Sequence, residues 1–324
     1  MPRVLIIGAT GYVGRRIATL LVQSGQHSVY GIARTQRKAS LLQTEEIMPI
    51  ICPDPVDNPG PYLVTIRSSS IDIVIDVSEA GQGSHTFLRD VKRLGEERIE
   101  SYRAKGIVNA PKLGYIYCSG TWVHGSSDRP VTDLNLVGPE SQTPPEELSA
   151  WRVALEKEIL SSSDILDVMI IRPALIYGRE STIWTPYFMP VLEATRNKTA
   201  GFIGISLVED SRPGLIHVDD VATAFQKAVE KLPLIAGARI YPVFDLVTSQ
   251  ESMRDIFDAV ALHWGFNGTI QLIGHGGDLF SKAMSATFNG SSARAELLLE
   301  WRPRRLGGFV KDMGIYAMAL SANL

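Results

Sequence analysis

The sequence predicts an α/β fold: a doubly wound parallel sheet of Rossmann type with a smaller C-terminal lobe. Three observations predict it. Short, nearly continuous Val/Ile/Leu runs alternate with amphipathic helical stretches, the pattern of strands buried on both faces. The first such run leads at once into a glycine-rich turn and a helix. The 324 residues, 45% hydrophobic and 21% charged, are enough for one large core or two smaller ones.

Taken in order, "RVLIIGA" (3–9) reads as a strand and "YVGRRIATLLVQSG" (12–25) as its helix. "HSVYGIAR" (27–34), "IMPIIC" (47–52), "IDIVIDVS" (71–78) and "LGYIYCSG" (113–120) are further strands, the last preceded by a charged helix at 85–106. "LDVMIIRPALIYG" (166–178) is a strand with its turn, and "ARIYPVFDLV" (238–247) another. Between them, 212–232 reads as a strand followed by a helix that Asp219 would cap, and 289–306 as a helix running to Pro303. These runs assign residues 1–178 to a nucleotide-binding domain, with 212–247 returning to it. Residues 179–211 and 248–324 then form a substrate-binding lobe.

Composition excludes several classes. A formal charge of −3 advertises no nucleic acid or anionic lipid partner. No apolar run approaches the roughly 20 residues of a membrane span, and the opening apolar run is too short for a signal peptide. A cytoplasmic location is expected. Cys52 and Cys118 are too few for a metal cluster and read as buried thiols; no metal site is expected.

"GATGYVG" places Gly8, Gly11 and Gly14 between strand and helix, with Thr10, Tyr12 and Val13 filling the turn. Such a turn lets backbone amides approach a pyrophosphate at a helix N-terminus. At the end of the second strand, where an acid would bind an unmodified ribose, stands Ala33, followed by Arg34, Arg37 and Lys38. A guanidinium suits a 2′-phosphate, so NADP(H) is the expected cofactor. Asp54 could lie beside the adenine or simply hold a turn, and Val77 and Ser78 should sit near the cofactor's middle. Glu79 reads either as a base or as a cap.

With "CSGTWVHG" (118–125), "RPALIYG" (172–178), "IHVDDVA" (216–222) and "SSARAELLLEWRP" (291–303), the chain resembles an extended short-chain dehydrogenase/reductase of the epimerase/dehydratase type. The resemblance implies a Ser or Thr after the fifth strand and a Tyr-x-x-x-Lys pair on the next helix. There a phenol of pKa about 10, tuned by the lysine, would act as acid or base. The sequence departs from that pattern. Trp151 falls on the tyrosine position and Leu155 on the lysine position, while the hydroxyl position falls on Gly120. Arg152 and Glu156 read as an i, i+4 surface pair.

The candidates left for catalysis are Ser119 and Thr121, flanking Gly120, and His124, since an imidazole, with an ordinary pKa near 6.5, suits acid–base work. Tyr187 and Trp184 read as walls of a substrate cleft, with Tyr187 as a further catalytic candidate. Tyr177 and His217 read as structural. Three functions remain open. One is an NADP(H)-dependent reductase or dehydrogenase for a small apolar or aromatic carbonyl or enone with a non-standard proton donor. The others are a non-catalytic NADP(H)-binding sensor and a non-redox isomerase or cyclase. By analogy the partners are a small-molecule substrate and a second copy of the chain as a homodimer.

Overall fold

The computed structural model describes residues 1–199 and 201–323. Its centre is a seven-stranded, all-parallel sheet of β1 (Arg3–Ile7), β2 (Ser28–Ala33), β3 (Met48–Ile51), β4 (Ile73–Asp76), β5 (Leu113–Cys118), β6 (Leu166–Pro173) and β7 (Val243–Leu246). The spatial order is β3-β2-β1-β4-β5-β6-β7. The order reverses between β1 and β4, and ligands of open α/β sheets bind at the carboxyl edge beside such a switch.

Helices α1 (Tyr12–Gln23), α2 (Gln36–Thr44), α3 (Gly60–Ser68), α4 (Gly83–Ala104), α5 (Trp151–Ser161), α6 (Thr185–Arg196) and α7 (Val218–Gly237) follow along the chain. Val13, Ile17 and Leu21 fall on one stripe of α1, and α1, α2 and α7 bury their apolar faces in one core with Ile6, Ile75 and Ile171. On the other face α3, α4 and α5 pack with Leu5, Val74 and Tyr115. Strands covered on both faces explain the unbroken Val/Ile runs.

A third, aromatic core lies apart from the sheet and gathers Trp184, Phe188, Phe257, Phe309 and Tyr316. Two sequence readings change here. The strand Gly214–His217 does not join the central sheet; it pairs with Leu175–Tyr177 in a separate three-stranded sheet, although its Ile216 packs into the same core as α7. The tail helix covers only Ala293–Leu298. Glu300 then takes a positive φ and Trp301 is buried, its indole donating to Thr223 Oγ1 at 3.0 Å.

Candidate functional site

A cavity of about 340 Å³ opens at the carboxyl edge of the sheet, over the switch between β1 and β4. At one end lie Gly8, Thr10, Gly11, Tyr12 and Val13 from the glycine turn. Gly8 has φ +93°, and a Cβ there would lie 2.7 Å from the Val77 carbonyl oxygen. A Cβ on Gly11 would meet only the Gly8 carbonyl oxygen, at 3.2 Å, so its outer side is free for a ligand. Gly14 does not line the cavity. A Cβ there would overlap the Gly8 carbonyl, so its part is to let α1 start tight against the turn. This bare, amide-rich cradle fits a dinucleotide pyrophosphate.

The next residues come from the ends of β2 and β4. Arg34 and Lys38 both line the cavity, Lys38 on the first turn of α2, whose N-cap Thr35 accepts from the Lys38 backbone amide at 3.3 Å. Val77 and Ser78 line it too, with Ser78 donating its hydroxyl to Asp76 Oδ1 at 2.6 Å. Asp76 is buried, and burial pushes its carboxyl above the usual range. Asp54 is absent from the lining. Its Oδ1 accepts from the Asp57 amide at 3.2 Å, so it holds a turn, and the neighbouring Pro55 meets the cavity instead. The exposed Glu79, with φ +52°, also lines the cavity and caps no helix.

Beyond β5 the chain leaves the strand at Cys118 and winds into one 3₁₀ turn, Thr121–His124. Ser119 and Thr121, on either side of the extended Gly120, both line the cavity. Ser119 is 7% exposed and its Oγ is buried with no hydrogen-bond partner. Cys118 is half-buried and lines the cavity as well, where burial pushes its thiol up to about 12.

His124 takes no part in this wall. The 3₁₀ turn carries its ring under the sheet edge, 2% exposed, stacked on Phe288, with Nε2 2.8 Å from Asp245 Oδ2 and 3.3 Å from Arg172 Nη1. Tyr187 and Trp184, expected as cleft walls, do not line the cavity either. Trp184 is fully buried and donates to the Ile176 carbonyl at 3.1 Å, and Tyr187 stacks on Phe280 with its hydroxyl 3.0 Å from Ser281 Oγ. Helix α6 starts just there and turns both rings into the aromatic core, leaving Thr182 and Ile183 on the cavity. The apolar wall is Trp122, Pro173, Ala174, Leu175 and Ile176.

Arg152 and Glu156 do not pair. Glu156 is buried and takes the Arg172 guanidinium, Nε to Oε1 at 3.0 Å. Arg152 turns into the cavity, donating from Nη1 to the Tyr117 hydroxyl at 2.9 Å and the Cys118 carbonyl at 3.1 Å. Its carbon Cζ lies 4.9 Å from the centre of the Trp151 ring. Leu155 is wholly buried in the second core.

The sequence reading missed Arg152 as a site residue. Its signal, a basic residue beside the tyrosine position, looked like half of a surface pair. On α7, His217 and not Asp219 is the cap: its Nδ1 accepts from the Asp219 amide at 3.1 Å, and burial lowers its pKa to about 4. Asp219 instead takes Arg179, 2.7 Å away. Tyr177 is buried and stacks on Phe309, a structural position.

A family model described as "NAD dependent epimerase/dehydratase family" matches residues 4–243. The chain belongs to that family. A search of curated proteins by sequence found no match. Among solved structures, one similar fold is the dTDP-glucose 4,6-dehydratase of Bacillus anthracis str. Ames in complex with NAD. It is 12% identical, with a TM-score of 0.75 over 100% of this chain and 97% of that one. The UDP-glucuronic acid 4-epimerase of Bacillus cereus, in complex with UDP-glucuronic acid and NAD, is 14% identical, with a TM-score of 0.68 over 99% and 100% of the two chains. The UDP-glucose-4-epimerase of Stenotrophomonas maltophila, with bound NAD and formylated UDP-arabinopyranose, is 16% identical, with a TM-score of 0.69 and both chains fully covered. At these identities the likeness is one of fold. Among the described residues no helix is long and apolar enough to cross a membrane, and no group of His, Cys, Asp or Glu could hold a metal ion.

Proposed function

We infer that this epimerase/dehydratase family member is an NADP(H)-dependent reductase or dehydrogenase of small carbonyl or enone compounds with an apolar or aromatic body. One observation carries the reading. A single cavity is lined by the glycine cradle with Arg34 and Lys38 at its start, and by Ser119, Thr121 and Arg152 beyond β5. Arg34 and Lys38 suit a 2′-phosphate, and the position of the acid that would favour plain NAD holds the buried Ala33.

A nicotinamide dinucleotide bound there supplies or accepts a hydride. The chain's own residues do the rest. The apolar wall around Trp122, Pro173 and Leu175 orients the substrate and excludes water. The Ser119 hydroxyl stabilises the carbonyl oxygen as negative charge grows on it, and the Arg152 guanidinium anchors the substrate beside it. With the imidazole of His124 turned away, the proton comes from water, the hydroxyl of Ser119 or Thr121 passing its own proton to that oxygen while taking one from the water.

The test is a screen of cofactor-stripped protein with NADPH against aryl and alkyl aldehydes, ketones and enones, following loss of the reduced nicotinamide. Saturable oxidation with at least one compound is expected. NADPH binding without turnover would instead support a second reading, a dinucleotide-binding sensor, which the loss of the family's pair to Trp151 and Leu155 favours. No dinucleotide binding at all would overturn both.

A further inference from the structure

Among the described residues two half-buried arginines have no acidic partner, Arg98, which donates to the Ile71 carbonyl away from the cavity, and Arg152, which lines it. Arg172 is neutralised by Glu156 and Asp245, Arg294 by Asp133, and Arg16 by Glu180. Arg152 has only uncharged protein partners, the Tyr117 hydroxyl and the Cys118 carbonyl, and it stacks on Trp151. Burial pushes the Tyr117 phenol well above its ordinary range, so it stays neutral. Glu79, the one acid of the cavity wall, forms no ion pair with Arg152 among the described residues. The three contacts fix the guanidinium plane at the end of β5, and Nη2 and Nε are left without a protein acceptor. Those two nitrogens are open to the cavity, so the half-buried guanidinium presents a free fork to whatever binds there.

The second observation is independent. Ser119, next in the chain after the carbonyl that Arg152 grips, is more than nine-tenths buried in the same wall, and its hydroxyl has no partner. An oxygen acceptor is therefore missing on two counts at one place. The cofactor's own charged groups belong to the other end of the cavity, at the glycine cradle and at Arg34 and Lys38.

The geometry points to a substrate that carries a carboxylate: Arg152 takes the carboxylate through its fork, Ser119 donates to one of its oxygens or to the adjacent carbonyl, and Trp122, Pro173 and Leu175 hold the apolar body. The substrate class is an apolar or aromatic oxo-acid rather than a neutral ketone. This rests on the reductase reading above and names its substrate class. It also accounts for the tryptophan at the tyrosine position, which serves as a stacking plate for the cation beside it.

The experiment is calorimetric binding to the NADPH-loaded protein. The probes are phenylacetate, benzoate and benzoylformate, each paired with its amide. The wild type should bind at least one acid roughly tenfold or more tighter than its amide, the size of a charge-assisted bond. Arg152→Gln should abolish that preference, and Arg152→Lys should keep part of it, since the charge remains and the fork is lost. NADPH affinity, titrated separately, should change less than about twofold in both variants, with unchanged circular dichroism.

Equal binding of acid and amide by the wild type, or no binding of any acid, overturns the proposal. So does a preference that survives in Arg152→Gln, or a loss of NADPH affinity in both variants, which would make Arg152 a cofactor ligand. Failure of the wild type to bind NADPH at all is a separate result. It strikes the reductase reading, and the titration that precedes the acids reads it.

Discussion

The two ends of the cavity were built under different rules. At the cofactor end, β1, the glycine turn and α1 are contiguous in sequence, and each residue's part is set by its immediate neighbours. Gly8 turns the chain and Gly14 lets the helix close on it. At the reacting end, β5, the 3₁₀ turn and α5 meet from positions some thirty residues apart, as in the contacts of Arg152 with Tyr117 and Cys118. The first end keeps the family's features and the second replaces them. The phosphate cradle depends on backbone shape that few sequences can supply. Side chains on α5 sit on a finished scaffold, where a tryptophan and a leucine can stand at the tyrosine and lysine positions without disturbing the sheet.

The sharpest way to break this comparison is to put the old pair back. Leu155 is wholly buried between α5 and the sheet, so Trp151→Tyr with Leu155→Lys drives an ammonium into the second core. A loss of about 4 kcal/mol or more is expected in denaturant unfolding, with no gain in turnover. A stable, more active double variant would show that the position still faces the cofactor and that the reacting end was not rebuilt.

A smaller effect is expected at His124. Removing the imidazole leaves Asp245, 0% exposed, with the more distant Arg172 at 3.6 Å as its remaining cationic partner among the described residues and the carboxylate of Asp133 nearby. His124→Ala should lower stability by about 2–4 kcal/mol and leave NADPH affinity nearly unchanged. Normal stability with turnover abolished would instead return His124 to the role of acid.

The sheet was legible because its strands are apolar on both faces, and the glycine turn because its motif is local. Helices α2 and α3 were not. Gln36–Thr44 is mostly polar and contains Arg37 and Lys38, which with Arg34 read as a ligand patch, and Gly60–Ser68 opens within Pro59-Gly60-Pro61, which reads as a turn. The residues flanking Gly120 were found, but the 3₁₀ turn that follows them and carries His124 away is announced by no periodicity. His124 and Asp245 are 121 positions apart, and Glu156 and Arg172 meet from helix to strand. Local spacing assigned His124 to the cavity and Glu156 to Arg152, and tertiary pairing overruled both. Trp184 and Tyr187 misled in the same way, because aromatic residues after a variable turn fill a core as readily as a pocket.

The central claim, an intact cofactor end tuned for a 2′-phosphate beside a rebuilt reacting end, is tested most directly by the dissociation constants of NADPH and NADH. They should be measured side by side for the wild type and for Arg34→Ala with Lys38→Ala. The account predicts NADPH roughly tenfold or more tighter in the wild type, and a double variant that loses this preference while its NADH affinity stays within about twofold. Equal affinities for the two dinucleotides in the wild type, or a double variant weakened equally toward both, would contradict it.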